Sequence, residues 1–315
     1  MPVCTEQQSW YCSMQTEEES IFIWEEVQDG AVIRGCTCSL RILTVPGRIA
    51  GLPVVQIGDY AFQGMNELCE AHLPESLQFL GDHVFFNCTG LKRLTAYDAL
   101  THVGDGAFKN CDRLSEIELS VRQGHTSTLR LLISDVMQDV RADIIYEAEG
   151  EEPVRSRLMF PAFYFDYIEN YPARIFEEVI YGSGQAYRQC FRGGDVDYEA
   201  YDRLFERSAR EDTPQAVLGH AVGRLSCPYR LSDGRREVYR EWISSHGPEF
   251  LKECISKDAP EDLERMLELD LYDEEQTGQL ISLALREKKP EFISLLMAYQ
   301  GRRFAGGRKR KKYVL

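Results

Sequence analysis

Three stretches of this chain align without a gap at a spacing of 23 residues. Gly58-Asp59-Tyr60-Ala61-Phe62 matches Gly81-Asp82-His83-Val84-Phe85, and both match Gly104-Asp105-Gly106-Ala107-Phe108. An aliphatic residue precedes each glycine: Ile57, Leu80 and Val103. Met65, Cys88 and Cys111 share one downstream place, and Leu68, Leu91 and Leu114 another. Ala71/Leu94/Ile117 and Leu73/Ala96/Leu119 extend the match. A unit this short cannot bury its own apolar face, so copies must stack and form a solenoid.

Each coil needs a short strand with alternating inward residues, here Leu114, Ile117 and Leu119. It then needs a turn, a second apolar anchor, a glycine for a tight bend and an aromatic that fills the coil. Phe62, Phe85 and Phe108 are expected to stack. Cys88 and Cys111 fall one coil apart, about 5 Å by strand spacing, which allows a disulfide or a ladder of free thiols. The neighbours of the inward residues face out: Glu70 and His72, Arg93 and Thr95, Glu116 and Glu118. This mixed-charge strip suits reading another protein's polar surface. The alternative is a plain solvated sheet. A partner would also recruit Tyr97, Phe79 or the second half of the chain.

The repeat resembles the BspA-type leucine-rich repeat, whose coils read IG-x-x-AF-x-x-C-x-x-L. The stretch from Thr44 to Phe62 is similar to the family's opening coil. Phe22–Arg34, with Gln28-Asp29-Gly30-Ala31 as a hairpin turn, is similar to its capping hairpin. The resemblance covers about residues 20–120 and implies a short solenoid whose end the hairpin caps. Met65 replaces the family's cysteine and Val84 its alanine, both at similar volume. Family members are often secreted or surface-attached.

Beyond Leu119, Thr128–Ile133 and Val140–Tyr146 read as further strands. Glu147–Glu152, closed by Pro153, reads as a loop. From about residue 160 the expectation changes to helix. Pro161–Glu178 is dense in aromatics and reads as core or a docking surface. A second repeat, offset by 30, aligns Pro260–Leu267 with Pro290–Met297. Proline then opens the second helix of each pair, where its missing N–H is harmless. The pattern resembles an ankyrin-like helical unit. The segment from Pro172 to Phe191 resembles regions beside such repeats in bacterial proteins, a likeness that carries no activity. The expected organisation is an N-terminal segment 1–19, a leucine-rich domain 20–150, a helical repeat-like domain 151–301 and a basic disordered tail 302–315. The fold class is α+β.

Little in the chain points to catalysis. Gly182-Ser183-Gly184 lacks both the P-loop and the dinucleotide spacing and reads as a helix-to-helix turn. No two histidines form a metalloprotease pair. Cys36-Thr37-Cys38 has no second ligand pair at zinc spacing. Asp195, Asp197 and Asp202 lack the calcium-loop pattern and read as a helix start. No cofactor or metal is expected. The net charge of −15 argues against a general nucleic-acid binder. The tail, with Arg308–Lys312, is the exception. No apolar run approaches the roughly 20 residues of a spanning helix. Met1–Gln8 lacks the features of a secretory signal, so a cytoplasmic location is expected. The reading is therefore a non-enzymatic protein-interaction module. The alternatives are an enzyme or nucleic-acid factor using residues 160–245 or the tail, and a surface adhesin. A polar pocket around Arg174, Tyr187 and Arg188 would favour the enzyme.

Overall fold

A computed structural model describes residues 21–170 and 175–304. The N-terminal segment 1–19, Arg174 and Arg308–Lys312 lie outside the described residues. The chain divides into two compact units, Met1–Ala216 and Val217–Leu315.

The first unit opens with an antiparallel hairpin, β1 (Phe22–Val27) and β2 (Gly30–Cys36). Strand β2 then pairs in parallel with β5 (Leu52–Ile57), and β7 (Phe79–Leu80) and β9 (His102–Val103) extend the sheet. The hairpin therefore seats on the end of the solenoid, as expected. Strands β3 (Ile42–Thr44) and β4 (Arg48–Ile49) fall within the first coil. A second sheet runs β3, β6 (Glu70–His72), β8 (Arg93–Tyr97), β10 (Glu116–Val121), β11 (Val140–Tyr146) and β12 (Val154–Phe160). It is parallel up to β11, and β12 adds antiparallel. About five turns cover residues 31–146.

The core follows from the register. Leu43, Ala71, Leu94, Ile117 and Ala142 align across five strands, all buried. Leu68, Leu91 and Leu114 are fully buried anchors. The rings of Phe62, Phe85 and Phe108 form a column with centroids 5.5 and 5.6 Å apart. Cys88 and Cys111 are free, and each thiol donates to a carbonyl of the previous coil, Phe62 and Phe85, at 3.1 Å. Burial pushes these thiols up to about 11 and about 12, so they are inert donors rather than nucleophiles.

The repeated glycine has a different role from the expected bend. Gly58, Gly81 and Gly104 do not have positive φ. They are needed because the coils approach closely: a Cβ on Gly81 would sit 2.7 Å from the Asp59 nitrogen. The left-handed residues are Tyr60, His83 and Gly106 two places on, and Gly64, Asn87 and Asn110 four places later. Polar ladders run beside them. The Asp59 carboxylate accepts from Asp82 N, that of Asp82 accepts from Asp105 N, and Asn110 donates to Asn87.

Two expectations are corrected. Ser127–Ile133 is a helix, α1, rather than a strand. Leu129, Leu132 and Ile133 are buried at helical spacing, and α1 follows β9 in place of another short strand. The helix expected from about 160 is the hairpin β13 (Tyr164–Asn170) and β14 (Ile175–Tyr181). Aromatic and β-branched residues fit a pleated surface, and that preference prevailed. Gly182 and Ser183 therefore form a strand-to-helix turn into α2 (Gly184–Arg188), with Ser183 donating to Asp212. After the two-residue strands β15 (Phe191–Arg192) and β16 (Asp195–Val196), helix sets in at Tyr198 with α3 (Tyr198–Arg203) and α4 (Phe205–Glu211). The Asp197 side chain caps α3, while Asp195 lies in β16.

Helix α5 (Pro214–Ser226) leads into the second unit, which contains α6 (Asp233–Lys257), α7 (Pro260–Leu267), α8 (Glu274–Arg286) and α9 (Pro290–Phe304). The pairs α6–α7 and α8–α9 carry the offset of 30. Buried Leu263 and Met266 recur as Ile293 and Leu296. Buried Ile255 and Leu267 recur as exposed Leu285 and Met297. Helix α9 runs to Phe304, so Arg302 and Arg303 belong to its last turn rather than to a tail.

Candidate functional site

Parallel pairing in register makes each outward position a row across the sheet. Glu70, Arg93 and Glu116 form one row, continued by Arg141; His72, Thr95 and Glu118 form the next, continued by Asp143. The structure thus brings all six expected residues onto one face. Tyr97 shares that sheet, whereas Phe79 lies on β7 of the other one.

The charges on the face answer one another. Arg93 donates to Glu116 at 2.7 Å, Arg141 lies 3.2 Å from Glu116 and 3.3 Å from Asp143, and Arg157 reaches Asp143 at 2.5 Å. The Glu116 carboxylate raises the Arg93 guanidinium above its ordinary value. His72 Nδ1 and the Thr95 hydroxyl share a hydrogen bond of 2.9 Å. Half-exposed pairs of this kind contribute about 0–1 kcal/mol each to stability. Their effect is to hold long side chains in fixed places at low net charge. Glu118 has no ion pair among the described residues, and Asp143 is its register neighbour. At one margin, Arg122 lies 5.0 Å over the Tyr97 ring and bridges Glu75 and Glu147.

The other singled-out residues lie away from this face. The Cys36 and Cys38 sulfurs are 3.7 Å apart. No cluster of three or more metal-ligating groups occurs among the described residues. No described helix is long and apolar enough to cross a membrane. Tyr187 is fully buried.

Arg188 lines a cleft of about 570 Å³ between the third coil, the segment after α1 and the start of β13. Its walls include His83, Lys109, Asp135, Phe163 and Phe165. Arg188 is 8% exposed, and its guanidinium donates to the carbonyls of Pro161 (2.6 Å), Gln138 (2.9 Å) and Gly184 (3.0 Å). It lies 4.9 Å over the Phe163 ring, and burial lowers it to about 10. Sequence reasoning passed over His83, Lys109 and Asp135. The one available signal was Gly106, which ends the stack that Tyr60 and His83 begin with centroids 5.0 Å apart.

A family match agrees with the repeat. Residues 36–128 match the family described as BspA type leucine rich repeat region, in six copies. Similar solved structures include a T. pallidum leucine-rich repeat protein, 20% identical, covering 34% of this chain and 75% of that one, with a TM-score of 0.24. A leucine-rich repeat protein from Bacteroides ovatus is 23% identical, with coverage of 32% and 30% and a TM-score of 0.29. A leucine-rich cell surface protein from Faecalibacterium prausnitzii is 24% identical, with coverage of 33% and 36% and a TM-score of 0.27. The chain thus spans about a third of the length of the last two. No curated protein matches significantly. Residues 36–128 match the BspA-type leucine-rich repeat model, further strands follow, and the chain becomes mainly helical from Tyr198.

Proposed function

We propose that this chain is a protein-interaction module and that a partner docks on the outward face of β6, β8 and β10. The observation that carries this reading is the pair of in-register rows, Glu70–Arg93–Glu116 and His72–Thr95–Glu118. A parallel sheet presents side chains at fixed spacing, and cross-strand pairs hold them, so little side-chain entropy remains to be lost on docking. Low net charge on the face favours a polar partner of matching pattern over a strongly charged one. A leucine-rich scaffold fits this role.

The test is affinity capture from host extract with the full chain and with the triple variant Arg93→Ala, Glu116→Ala and Glu118→Ala. Circular dichroism would first show that the variant keeps its fold. A partner held by the native chain and lost at least about tenfold by the variant supports the reading. Equal retention, or no partner at all, contradicts it.

A further inference from the structure

We infer that the cleft between His83, Lys109, Phe163 and Arg188 is a binding site for an apolar carboxylate. This goes beyond the sheet face and uses none of its residues.

Three polar side chains with unused hydrogen-bonding capacity line the cleft. Arg188 is more than nine-tenths buried, yet its hydrogen bonds go to three neutral carbonyls and none to a carboxylate. Its Nε is enclosed and has no acceptor, and His83 Nδ1 is likewise enclosed without a partner. Lys109, on the same cleft, makes no side-chain ion pair or hydrogen bond among the described residues. Buried polar groups are normally satisfied, and here two residues that line one cleft each keep an unsatisfied polar atom. Arg188 and Lys109 offer only donors, so the ligand must bring acceptors.

The walls narrow the class further. Phe163, Phe165 and Met137 give an apolar side that fits a ring or a branched chain. Asp105 and Asp135 also border the cleft. Shielding and the nearby Asp105 raise the Asp135 carboxyl, which backbone amides of Gly106 and Ala107 hold. Two aspartates disfavour a phosphate dianion but tolerate a monoanion placed against Arg188 and Lys109. The volume suits a ligand the size of one amino acid or somewhat larger. Such a carboxylate has two sources: a free aromatic or branched acid, or the C-terminal residue of a peptide.

The experiment titrates the full chain calorimetrically with phenylacetate, with its neutral analogue 2-phenylacetamide, and with the tripeptide Ala-Ala-Phe carrying a free or amidated end. Arg188→Gln risks misfolding, because Arg188 ties three segments together. Lys109→Gln is therefore the informative variant, its side chain being exposed. The expected result is saturable binding of phenylacetate, at least about tenfold weaker binding of the amide, and about fivefold weakening by Lys109→Gln. Free tripeptide binding more than about tenfold tighter than phenylacetate identifies a chain terminus as the ligand; the reverse order identifies a free acid. No saturation by either acid at about 10 mM, equal binding of acid and amide, or no effect of Lys109→Gln would overturn the inference. The sheet-face triple variant should bind phenylacetate normally, so failure here is separable from failure of the docking reading.

Discussion

Phe85 sits in the middle of the three-ring column and is fully buried. Phe85→Ala leaves a void that both neighbouring coils border, and should cost about 3–5 kcal/mol in denaturant unfolding. Gly81→Ala tests a different force. Its Cβ would be driven into Asp59 and the Gly58 backbone, so it should destabilise by about 1–3 kcal/mol despite an allowed φ. An unchanged midpoint would contradict this close approach of the coils. His220 makes stability depend on pH. It is fully buried, and burial holds its imidazole down to about 3. Unfolding restores a value near 6.5, so the unfolded chain takes up a proton below that pH while the native one does not. The contribution is complete above about pH 6.5 and is lost as pH falls toward 3, by roughly 1.4 kcal/mol per unit. Melting temperatures from pH 7 to 4.5 should fall more steeply in the native chain than in His220→Leu; parallel slopes would refute this.

Among the elements, α8 carries a complete capping box. The Asp273 carboxylate accepts from Gln276 N, and the Gln276 side chain accepts from Asp273 N. Asp273→Ala should cost about 1 kcal/mol, and Asp273→Asn much less, by thermal unfolding. Local signals made the strands with register partners legible. Leu94, Ile117 and their alternating neighbours read as strands because one face had to be buried. The segments that misled did so for physical reasons. Thr128–Ile133 is apolar enough for either state, and only its place beside β9 selects helix. The stretch from about residue 160 is expected to be helical, but its aromatic residues pair across a hairpin instead. Tyr164 and Tyr181, for example, stack at 4.7 Å. Pairing between distant segments is invisible to a local pattern.

At the scale of the molecule, the coil period carried most of the information. It placed the phenylalanine column, the one-coil spacing of Cys88 and Cys111 and the two outward rows, because each depends only on a repeat in register. The cleft was not legible in this way. It is assembled from Lys109 on one coil, Asp135 after α1 and Arg188 on α2, and no period relates them. The measurement that tests the docking surface most directly is amide hydrogen exchange of the full chain, free and bound to a captured partner. The account expects slowed exchange over residues 70–72, 93–97 and 116–121, with no change in the helices of residues 233–304. Protection confined to those helices, with the three strands unaffected, would contradict it.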